Sequence, residues 1–187
     1  GVDSSTCVSM AINQYGAENV ATVTIFYGQT LKKEIESARK LADYYKLAHY
    51  EFNLSEIFKF SNCTLLEHSS QEIVEESYEE QYDPKGIITS YVPFRNGLML
   101  SVVATLAQSL YPKEECVIML GNHASDFAYA DCSEAFTNKM SEAVAEGTYG
   151  LVHFVSPLVN MTKTEVVKNG LEMLHGQALA AWDIWQR

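Results

Sequence analysis

The sequence predicts an α/β protein in which helices cover both faces of an open parallel sheet. Segments with the composition of buried strands alternate with segments of helical periodicity along most of the 187 residues. This alternation is typical of parallel sheets, whose strands are connected through helices on the two faces. Each predicted strand is followed by a joint that is polar or contains glycine or proline. Ligands of open α/β sheets bind beyond the carboxyl ends of the strands, so we expect the functional site at these joints.

The first part of the chain is predicted to contain two helices and two strands. Apolar residues recur at helical spacing over residues 7–12, and Gly16 is expected to end this helix in a left-handed conformation. The segment NVATVTIFYG (19–28) is rich in β-branched and aromatic residues, which predicts a buried strand. LKKEIESARKLADYY (31–45) is predicted as a helix and HYEFNL (49–54) as a short strand.

Residues 55–90 interrupt the alternation with mixed polarity and a Pro-Lys-Gly turn, so we predict an insertion over one end of the sheet. The alternation then resumes. The predicted elements are a helix at NGLMLSVVATLAQSLY (96–111), a strand at CVIMLG (116–121), a helix at SEAFTNKMSEAVAE (133–146), a strand or extended edge at LVHFVSPL (151–158) and a closing helix at TKTEVVKNGLEML (162–174).

The charge of the sequence argues against a nucleic-acid partner. The formal net charge is -11, and acidic residues are concentrated in residues 72–83. Phosphate neutralisation dominates the affinity of proteins for nucleic acids, so DNA or RNA would be repelled over most of this surface. We therefore expect a small-molecule enzyme. The acidic segment itself is predicted to be a solvated helix or loop, because no metal-ligand spacing organises it.

Cysteine spacing and hydropathy further limit the kinds of protein that this sequence can encode. Cys7, Cys63, Cys116 and Cys132 lack the paired spacing of a zinc site and of a disulfide framework, so no metal site is predicted and reduced thiols are expected. No apolar run reaches the length of a membrane span, and no signal-peptide pattern occurs. These observations predict a soluble cytoplasmic protein without a membrane partner.

The first joint, GVDSST, has two interpretations. Its hydroxyls could cap the first turn of the following helix. Alternatively, the free N–H groups and small residues at this helix N-terminus could bind phosphate. The six residues by themselves do not distinguish the two.

Two further joints place candidate ligand-binding side chains after predicted strands or before a helix. Tyr27, Gly28 and Gln29 stand at a strand end, where an aromatic ring and an amide could flank a nucleobase. Arg95 precedes an apolar helix in SYVPFRNG. Its guanidinium could bind a phosphate or carboxylate of a ligand, or it could pair with a structural carboxylate.

The joint GNHASDFAYADCSEAF is dense in hydrogen-bonding groups, which favours a ligand or a tight polar network. Within it, His123 is either a satisfied histidine or a catalytic group, and Cys132 is either a small buried cysteine or a nucleophile. In the final joint, Thr162 and Glu165 have the spacing of a capping box, which leaves Lys163 available for phosphate.

Taken together, the joints resemble the 7-cyano-7-deazaguanine synthase family, an ATP-dependent group within the N-type ATP pyrophosphatases. GVDSST resembles the end of that superfamily's phosphate loop, SGGxDS, and identifies the superfamily only. YVPFRN together with DFAYADC is the family-specific part, and YGQTLKKEIESAR and TKTEVV extend the similarity. The resemblance implies a Rossmann-like, adenine nucleotide alpha hydrolase-like fold.

The sequence also departs from the pattern of the family that it resembles. We expect a single ATP pyrophosphatase-type domain over residues 1–187 that lacks the family's first strand and its C-terminal zinc-binding segment. Zn²⁺ is implied by the resemblance only, because no cysteine follows Cys132. Ala130 stands where the family usually has proline, and Ser133 where it commonly has arginine.

The resemblance assigns a role to each joint. Asp3, Ser4 and Lys163 would be catalytic. ATP and Mg²⁺ would be bound by Gly1, Val2, Asp3, Ser4 and Ser5, with Tyr27, Gly28 and Gln29 near the nucleotide. The deazaguanine substrate would contact Arg95, Asn96, Asp126, Tyr129 and Asp131.

The reaction implied is the conversion of 7-carboxy-7-deazaguanine to its nitrile. ATP activates the carboxylate, ammonia forms the amide, and ATP again drives dehydration. A homodimer is implied as well. The alternatives are another N-type ATP pyrophosphatase, such as an amidotransferase synthetase or a tRNA-modifying enzyme, and a nucleotide-binding relative without turnover. The acidic surface argues against the tRNA-modifying enzymes, and YVPFRN and DFAYADC argue against the synthetases.

Overall fold

Helices and strands alternate through the residues that the computed structural model describes, which are 1–70, 82, 84, 86–123 and 129–173. In chain order the elements are α1 (Val2–Tyr15), β1 (Ala21–Phe26), α2 (Lys33–Tyr45), β2 (Ala48–Asn53), α3 (Ser55–Phe58), α4 (Arg95–Leu110), β3 (Cys116–Met119), α5 (Glu134–Gly147), β4 (Val152–Val155) and α6 (Lys163–Met173). Short 3₁₀ turns occur at Ala17–Asn19 and Ala130–Cys132. The predicted order of helices and strands is therefore confirmed, with bounds that differ by a few residues.

The strands form two parallel pairs. β1 pairs with β2, with Ala21 opposite Ala48, and β3 pairs with β4, with Cys116 opposite Val152. Within the described part of the chain, the two pairs are separate sheets. The strands of each pair are neighbours along the chain and are separated by one or more helices: α2 connects β1 to β2, and α5 lies between β3 and β4. The α/β class with parallel strands is confirmed, whereas the described residues form two small sheets and not the one open sheet that the sequence predicts.

The buried apolar residues form three clusters that fix the helices on these sheets. One cluster lies beneath the joints after β1 and before α4 and contains Tyr27, Phe58, Cys63, Leu66 and Val92. A second packs α4 and α5 on β3 and β4 around Leu100, Ala104, Val152 and Phe154. The third holds α1 against α6 around Cys7, Leu158 and Val166. These clusters bring the start of α1 and the start of α4 to fixed positions beside the strand ends.

Helices α1 and α6 approach closely at one glycine. A Cβ atom on Gly170 of α6 would lie 2.7 Å from Thr6 Oγ1, and Thr6 is almost fully buried. The contact is possible because glycine has no side chain. It ties the helix that begins the chain to the helix that carries Lys163.

Gly16 differs from its predicted conformation. Its φ of 81° is positive, as expected, but its ψ of 148° is extended and not left-handed helical. The N–H of Gly16 still donates to Ile12 O at 2.9 Å. The chain leaves α1 through this glycine-specific conformation because it turns at once into the 3₁₀ segment Ala17–Asn19.

The predicted insertion over residues 55–90 is described in part. It contains α3, and Gln29 forms an antiparallel bridge with Leu66, which ties the insertion to the joint after β1. The acidic segment 72–83 lies outside the described residues, apart from Tyr82. Among the described helices, none combines the length and the hydropathy needed to cross a bilayer.

Candidate functional site

Three joints meet at the start of α1. Asp3 lies in the first turn of α1 and Lys163 begins α6. Lys163 Nζ donates to Asp3 Oδ1 at 2.7 Å and to Oδ2 at 2.6 Å. Both side chains are partly exposed, with 50% of Lys163 and 25% of Asp3 accessible. Two residues to which the resemblance assigns a catalytic role are therefore in direct contact at the surface of the molecule.

The capping box predicted in the last joint is present and orients Lys163. The two residues bond reciprocally. Glu165 Oε2 accepts a hydrogen bond from Thr162 N at 2.7 Å, and Thr162 Oγ1 accepts a hydrogen bond from Glu165 N at 3.4 Å. The hydrogen bonds that the Glu165 carboxylate accepts from Thr162 N and, at 2.8 Å, from Thr162 Oγ1 lower the pKa of the Glu165 carboxyl. The box fixes the first turn of α6, and Lys163 is its first helical residue.

The hydroxyls of GVDSST do not cap α1. Gly1 is the N-cap residue, and no side chain accepts a hydrogen bond at this helix end. Ser5 Oγ instead donates to the Gly1 carbonyl at 3.0 Å, one turn back. The capping interpretation of the serines is thus wrong, because no side chain caps this helix end, and Thr6 Oγ1 likewise donates one turn back, to the Val2 carbonyl. Ser4 and Val2 lie in the same first turn, beside Asp3.

The joint after β3 closes against α1 through a glycine. A Cβ atom on Gly121 would lie 3.2 Å from the carbonyl carbon of Asp3 and from Ser4 N. Cys7 Sγ, one turn further along α1, donates to Leu120 O at 3.5 Å. Burial, together with the charge of Asp3, raises the pKa of Cys7 to about 12. Cys7 is therefore a neutral thiol that helps to hold α1 on the end of β3.

His123 completes this group of side chains. It ends the described part of the joint after β3, and its side chain is 8% exposed. Its Nε2 lies 3.4 Å from Lys163 Nζ and 3.8 Å from Asp3 Oδ1. The sequence leaves His123 undecided between a satisfied histidine and a catalytic group. The contact with Lys163 crosses 40 positions of sequence, so no local pattern could have identified it.

A second group of side chains surrounds the start of α4. Arg95 Nη1 donates to the Tyr27 hydroxyl at 3.2 Å, and the guanidinium lies 5.3 Å from the centroid of the Tyr27 ring. Arg95 Nε donates to Asn96 Oδ1 at 3.3 Å. Burial raises the pKa of Tyr27, and the neighbouring Arg95 charge opposes this rise. Among the described residues, no carboxylate lies within ion-pair distance of Arg95.

The chain enters α4 through an unusual backbone conformation. Phe94, the N-cap residue, has a φ of 50°, in the left-handed region that a bulky residue rarely adopts. Its N–H donates to the Tyr91 hydroxyl at 3.0 Å. Its ring folds over Gly97, where a Cβ atom would collide with the ring carbons. This tight turn places Arg95 at the helix start, directed toward Tyr27.

Asp131 and Asn96 link this group to the turn that follows Tyr129. Asp131 Oδ2 accepts from Asn96 N at 2.8 Å, and Asn96 Nδ2 donates to Asp131 O at 3.1 Å. Asn96 Nδ2 also donates to Cys132 Sγ at 3.1 Å. Asp131 is 6% exposed, so its carboxylate is engaged inside the protein at the start of α4. Tyr129 contacts Ser90 through their hydroxyl oxygens at 3.0 Å.

One amide connects the two groups of side chains. Asn122, the neighbour of His123, donates through Nδ2 to the Cys132 carbonyl at 3.0 Å. Cys132 in turn contacts Asn96. The site at the start of α1 and the site at the start of α4 are therefore joined by hydrogen bonds through the joint after β3.

The remaining predicted residues have structural partners or lie outside the described chain. Gln29 is buried and its Oε1 accepts from Tyr27 N at 2.9 Å, so this amide braces the joint after β1. Gly28 has a φ of 89° and its carbonyl accepts from Glu67 N at 2.8 Å. Asp126 lies outside the described residues.

Among the described residues, no three histidine, cysteine, aspartate or glutamate side chains are grouped so that they could hold a metal ion. The four cysteines are free thiols.

This chain is similar to known proteins over most of its length. A family model described as "Queuosine biosynthesis protein QueC" matches residues 1–180. The 7-cyano-7-deazaguanine synthase of Picrophilus torridus is 36% identical over 182 residues, which cover 92% of this chain and 70% of that protein. The protein of the same name from Thermoplasma acidophilum is 34% identical over 182 residues, covering 92% of this chain and 71% of its own. The one from Archaeoglobus fulgidus is 33% identical over 175 residues, covering 92% and 69%.

Proposed function

Because this chain belongs to the queuosine biosynthesis protein QueC family, we propose that it is an ATP-dependent 7-cyano-7-deazaguanine synthase. The family match confirms the resemblance found in the sequence. The proposed reaction takes 7-carboxy-7-deazaguanine and ammonia to the nitrile in queuosine precursor biosynthesis. The contact between Asp3 and Lys163 at the start of α1 is the observation that carries the proposal.

The start of α1 is the proposed phosphate site. Helix N-termini favour anions because their first N–H groups lack partners within the helix. Lys163 adds a half-exposed ammonium at the same place, and a phosphate would compete with Asp3 for it. Gly1, Val2, Ser4 and Ser5 would surround the phosphates. A carboxylate in this position also fits Mg²⁺, which is usually held by one or two carboxylates together with substrate phosphates.

The start of α4 is the proposed site of the deazaguanine. Arg95 is partly buried, and its described hydrogen-bond partners, Tyr27 and Asn96, are neutral. A cation in such a position gains most from an anionic ligand, because the low local dielectric strengthens the pairing. The substrate's carboxylate is such a ligand. Tyr129 and Asp126 are proposed as further contacts to the ring, on the basis of the resemblance.

The proposed chemistry needs the two sites to act together. A carboxylate has no good leaving group, so one of its oxygens first attacks a phosphorus of ATP, and the phosphate groups beyond that phosphorus leave. Ammonia then attacks the carboxyl carbon, loses a proton and displaces the phosphorylated oxygen to give the amide. The amide oxygen attacks a second ATP in the same way, and the nitrile forms when the phosphorylated oxygen leaves carbon and the nitrogen gives up its two protons to solvent. The contribution of this chain is to hold the phosphates at α1 and the acid at Arg95, and to neutralise the charge between them.

The described residues do not suit zinc as they suit ATP and Mg²⁺. The described residues offer no grouped set of ligands for it, and the cysteines lie on separate elements. We therefore propose that these residues bind no zinc stoichiometrically. We also propose that the protein is a cytoplasmic homodimer, on the basis of the resemblance and the composition. The same observations support the proposal that it has no nucleic-acid or membrane partner.

The test is product formation by the purified protein. Supplied with ATP, Mg²⁺, an ammonium salt and 7-carboxy-7-deazaguanine, it should form the nitrile, detected by mass spectrometry. Arg95→Ala should abolish most of the product, whereas Arg39→Ala should leave it unchanged, because Arg39 pairs with Glu51 on an exposed surface. ATP binding without any product would instead support the alternative of a nucleotide-binding relative without turnover.

A further inference from the structure

We propose that His123 is a positioning residue for Lys163. The inference rests on the proposed function for the nature of the ligand, which is the phosphate of ATP. It goes beyond that function because it assigns a task to a side chain outside the predicted site residues. The observation behind it is that Asp3, Lys163 and His123, each from a different joint, meet within 4 Å of one another.

The chemistry of the contact fixes which atom accepts. An ammonium group has three donors and no acceptor, so at 3.4 Å from Lys163 Nζ the Nε2 atom of His123 is the acceptor. The proton of the neutral imidazole then lies on Nδ1. At 3.8 Å, Asp3 Oδ1 is too far from Nε2 for a hydrogen bond. His123 therefore acts on Lys163 more directly than on Asp3.

The position of the imidazole is set by packing. The side chain of His123 is 8% exposed and so has little room to turn toward solvent. Gly121, two residues before it, lies so close to Asp3 and Ser4 that the joint is locked onto the start of α1. The acceptor Nε2 is thereby held at a fixed place relative to the proposed phosphate site.

A fixed neutral acceptor gives Lys163 a second anchor. When phosphate draws the ammonium away from Asp3, the carboxylate contact is lost, but the imidazole can keep its hydrogen bond. Because the imidazole adds no negative charge, it does not compete electrostatically with the phosphate. His123 thus reduces the number of positions that a flexible, half-exposed lysine explores, and this lowers the entropic cost of engaging the ligand.

The test is a double-mutant cycle on the affinity for MgATP, measured by titration calorimetry. His123→Leu removes the acceptor and should weaken binding by about 3- to 10-fold, the scale of one hydrogen bond. In the Lys163→Met background the same substitution should change the affinity by less than about 2-fold, because its effect passes through Lys163. Equal losses in the two backgrounds would show a general structural role and overturn the proposal.

Two further variants keep the test decisive. His123→Gln retains an acceptor in a side chain of similar size, and we expect it to restore the affinity to within about 2-fold of the wild type. Loss of affinity in His123→Gln equal to that in His123→Leu would contradict the proposal. The matched control is His153→Leu, since His153 is an exposed histidine of β4 that faces Glu115, and MgATP affinity should not change.

The outcome is independent of whether the nitrile is formed. A coupled cycle in a protein that makes no nitrile would support the role of His123 and overturn the proposed substrate. An additive cycle in a protein that makes the nitrile would support the proposed substrate and overturn the role of His123.

Discussion

Lys163 Nζ contacts both carboxylate oxygens of Asp3, at 2.6 and 2.7 Å, although the two residues are 160 positions apart in the chain. The pair joins the first turn of α6 to the first turn of α1 and exists only when both helices are in place. A carboxylate and an ammonium at a helix N-terminus form a site that can exchange one anion for another.

Asp3→Ala should abolish ATP turnover without unfolding the protein. Half of the Lys163 side chain is exposed, so its ion pair with Asp3 is screened by solvent and should contribute about 1 kcal/mol or less to the free energy of unfolding. Removing a charged group that organises the phosphate site should lower kcat by about 100-fold or more. The measurement is ATP hydrolysis in the presence of the carboxylate substrate, alongside a thermal melt.

The matched control for this variant is Glu56→Ala. Glu56 forms an ion pair of similar length with Lys59, and both side chains are largely exposed. Its loss should leave turnover unchanged. Normal nucleotide binding together with normal turnover in Asp3→Ala would contradict the assignment of α1 as the phosphate site.

Arg95→Ala and Asp126→Ala should impair use of the deazaguanine more than binding of ATP. The ring N–H groups of the substrate suit an aspartate, and its carboxylate suits a guanidinium. Each substitution should lower kcat/KM for 7-carboxy-7-deazaguanine by about 10- to 1000-fold, the scale of one charge-assisted interaction. Steady-state kinetics with the two substrates varied separately provide the measurement. If the variants raise only the KM for ATP, these residues belong to the nucleotide site.

Gly121→Ala should damage the phosphate site more than the fold. Its Cβ would stand 3.2 Å from the Asp3 carbonyl carbon and from Ser4 N, so α1 or the joint after β3 must shift. We expect MgATP affinity to fall by about 10-fold, since small displacements of positioning groups have large effects. Gly147→Ala is the control, because a Cβ there meets nothing within 4 Å. Equal ATP affinity in the two variants would contradict the packing argument.

Local patterns in the sequence predicted most elements of the fold. Alternating strand and helix segments, together with the capping box at Thr162 and Glu165, depend on residues within a few positions of one another. Contacts between joints were harder to predict. The spacing of residues along the chain does not reveal that, in the segment 121–123, the side chain of His123 contacts Lys163. Gln29 shows the same limit, since its amide turns back to Tyr27 N and not outward.

The Cys7 thiol should make stability depend on alkaline pH. Burial, reinforced by Asp3, raises the pKa of Cys7 from 9.0 to about 12. Above pH 9.0 the unfolded chain loses this proton while the folded protein keeps it, so the free energy of unfolding falls as pH rises toward about 12. In Cys7→Ala this decline should be shallower, as measured by urea denaturation at several pH values.

Alkylation provides the second measurement for Cys7. Iodoacetamide should label Cys7 far more slowly in the native protein than in denaturant, because the thiolate is the reacting form. Equal rates in the two conditions would contradict the burial of the thiol.

Asp131→Ala should destabilise the protein as well as impair its activity. Asp131 is predicted from the resemblance to contact substrate, but its Oδ2 already accepts from Asn96 N at 2.8 Å in a buried setting. Removing that acceptor leaves the first turn of α4 with an unpaired N–H, which should cost about 1–3 kcal/mol of the free energy of unfolding. Since Asn96 neighbours Arg95, a loosened helix start should also lower kcat/KM for the deazaguanine. Asp131→Asn separates the two effects, because it keeps an acceptor oxygen and removes the charge. We expect Asp131→Asn to recover most of the stability in urea denaturation, and to recover activity only if the charge of Asp131 is not used by the substrate.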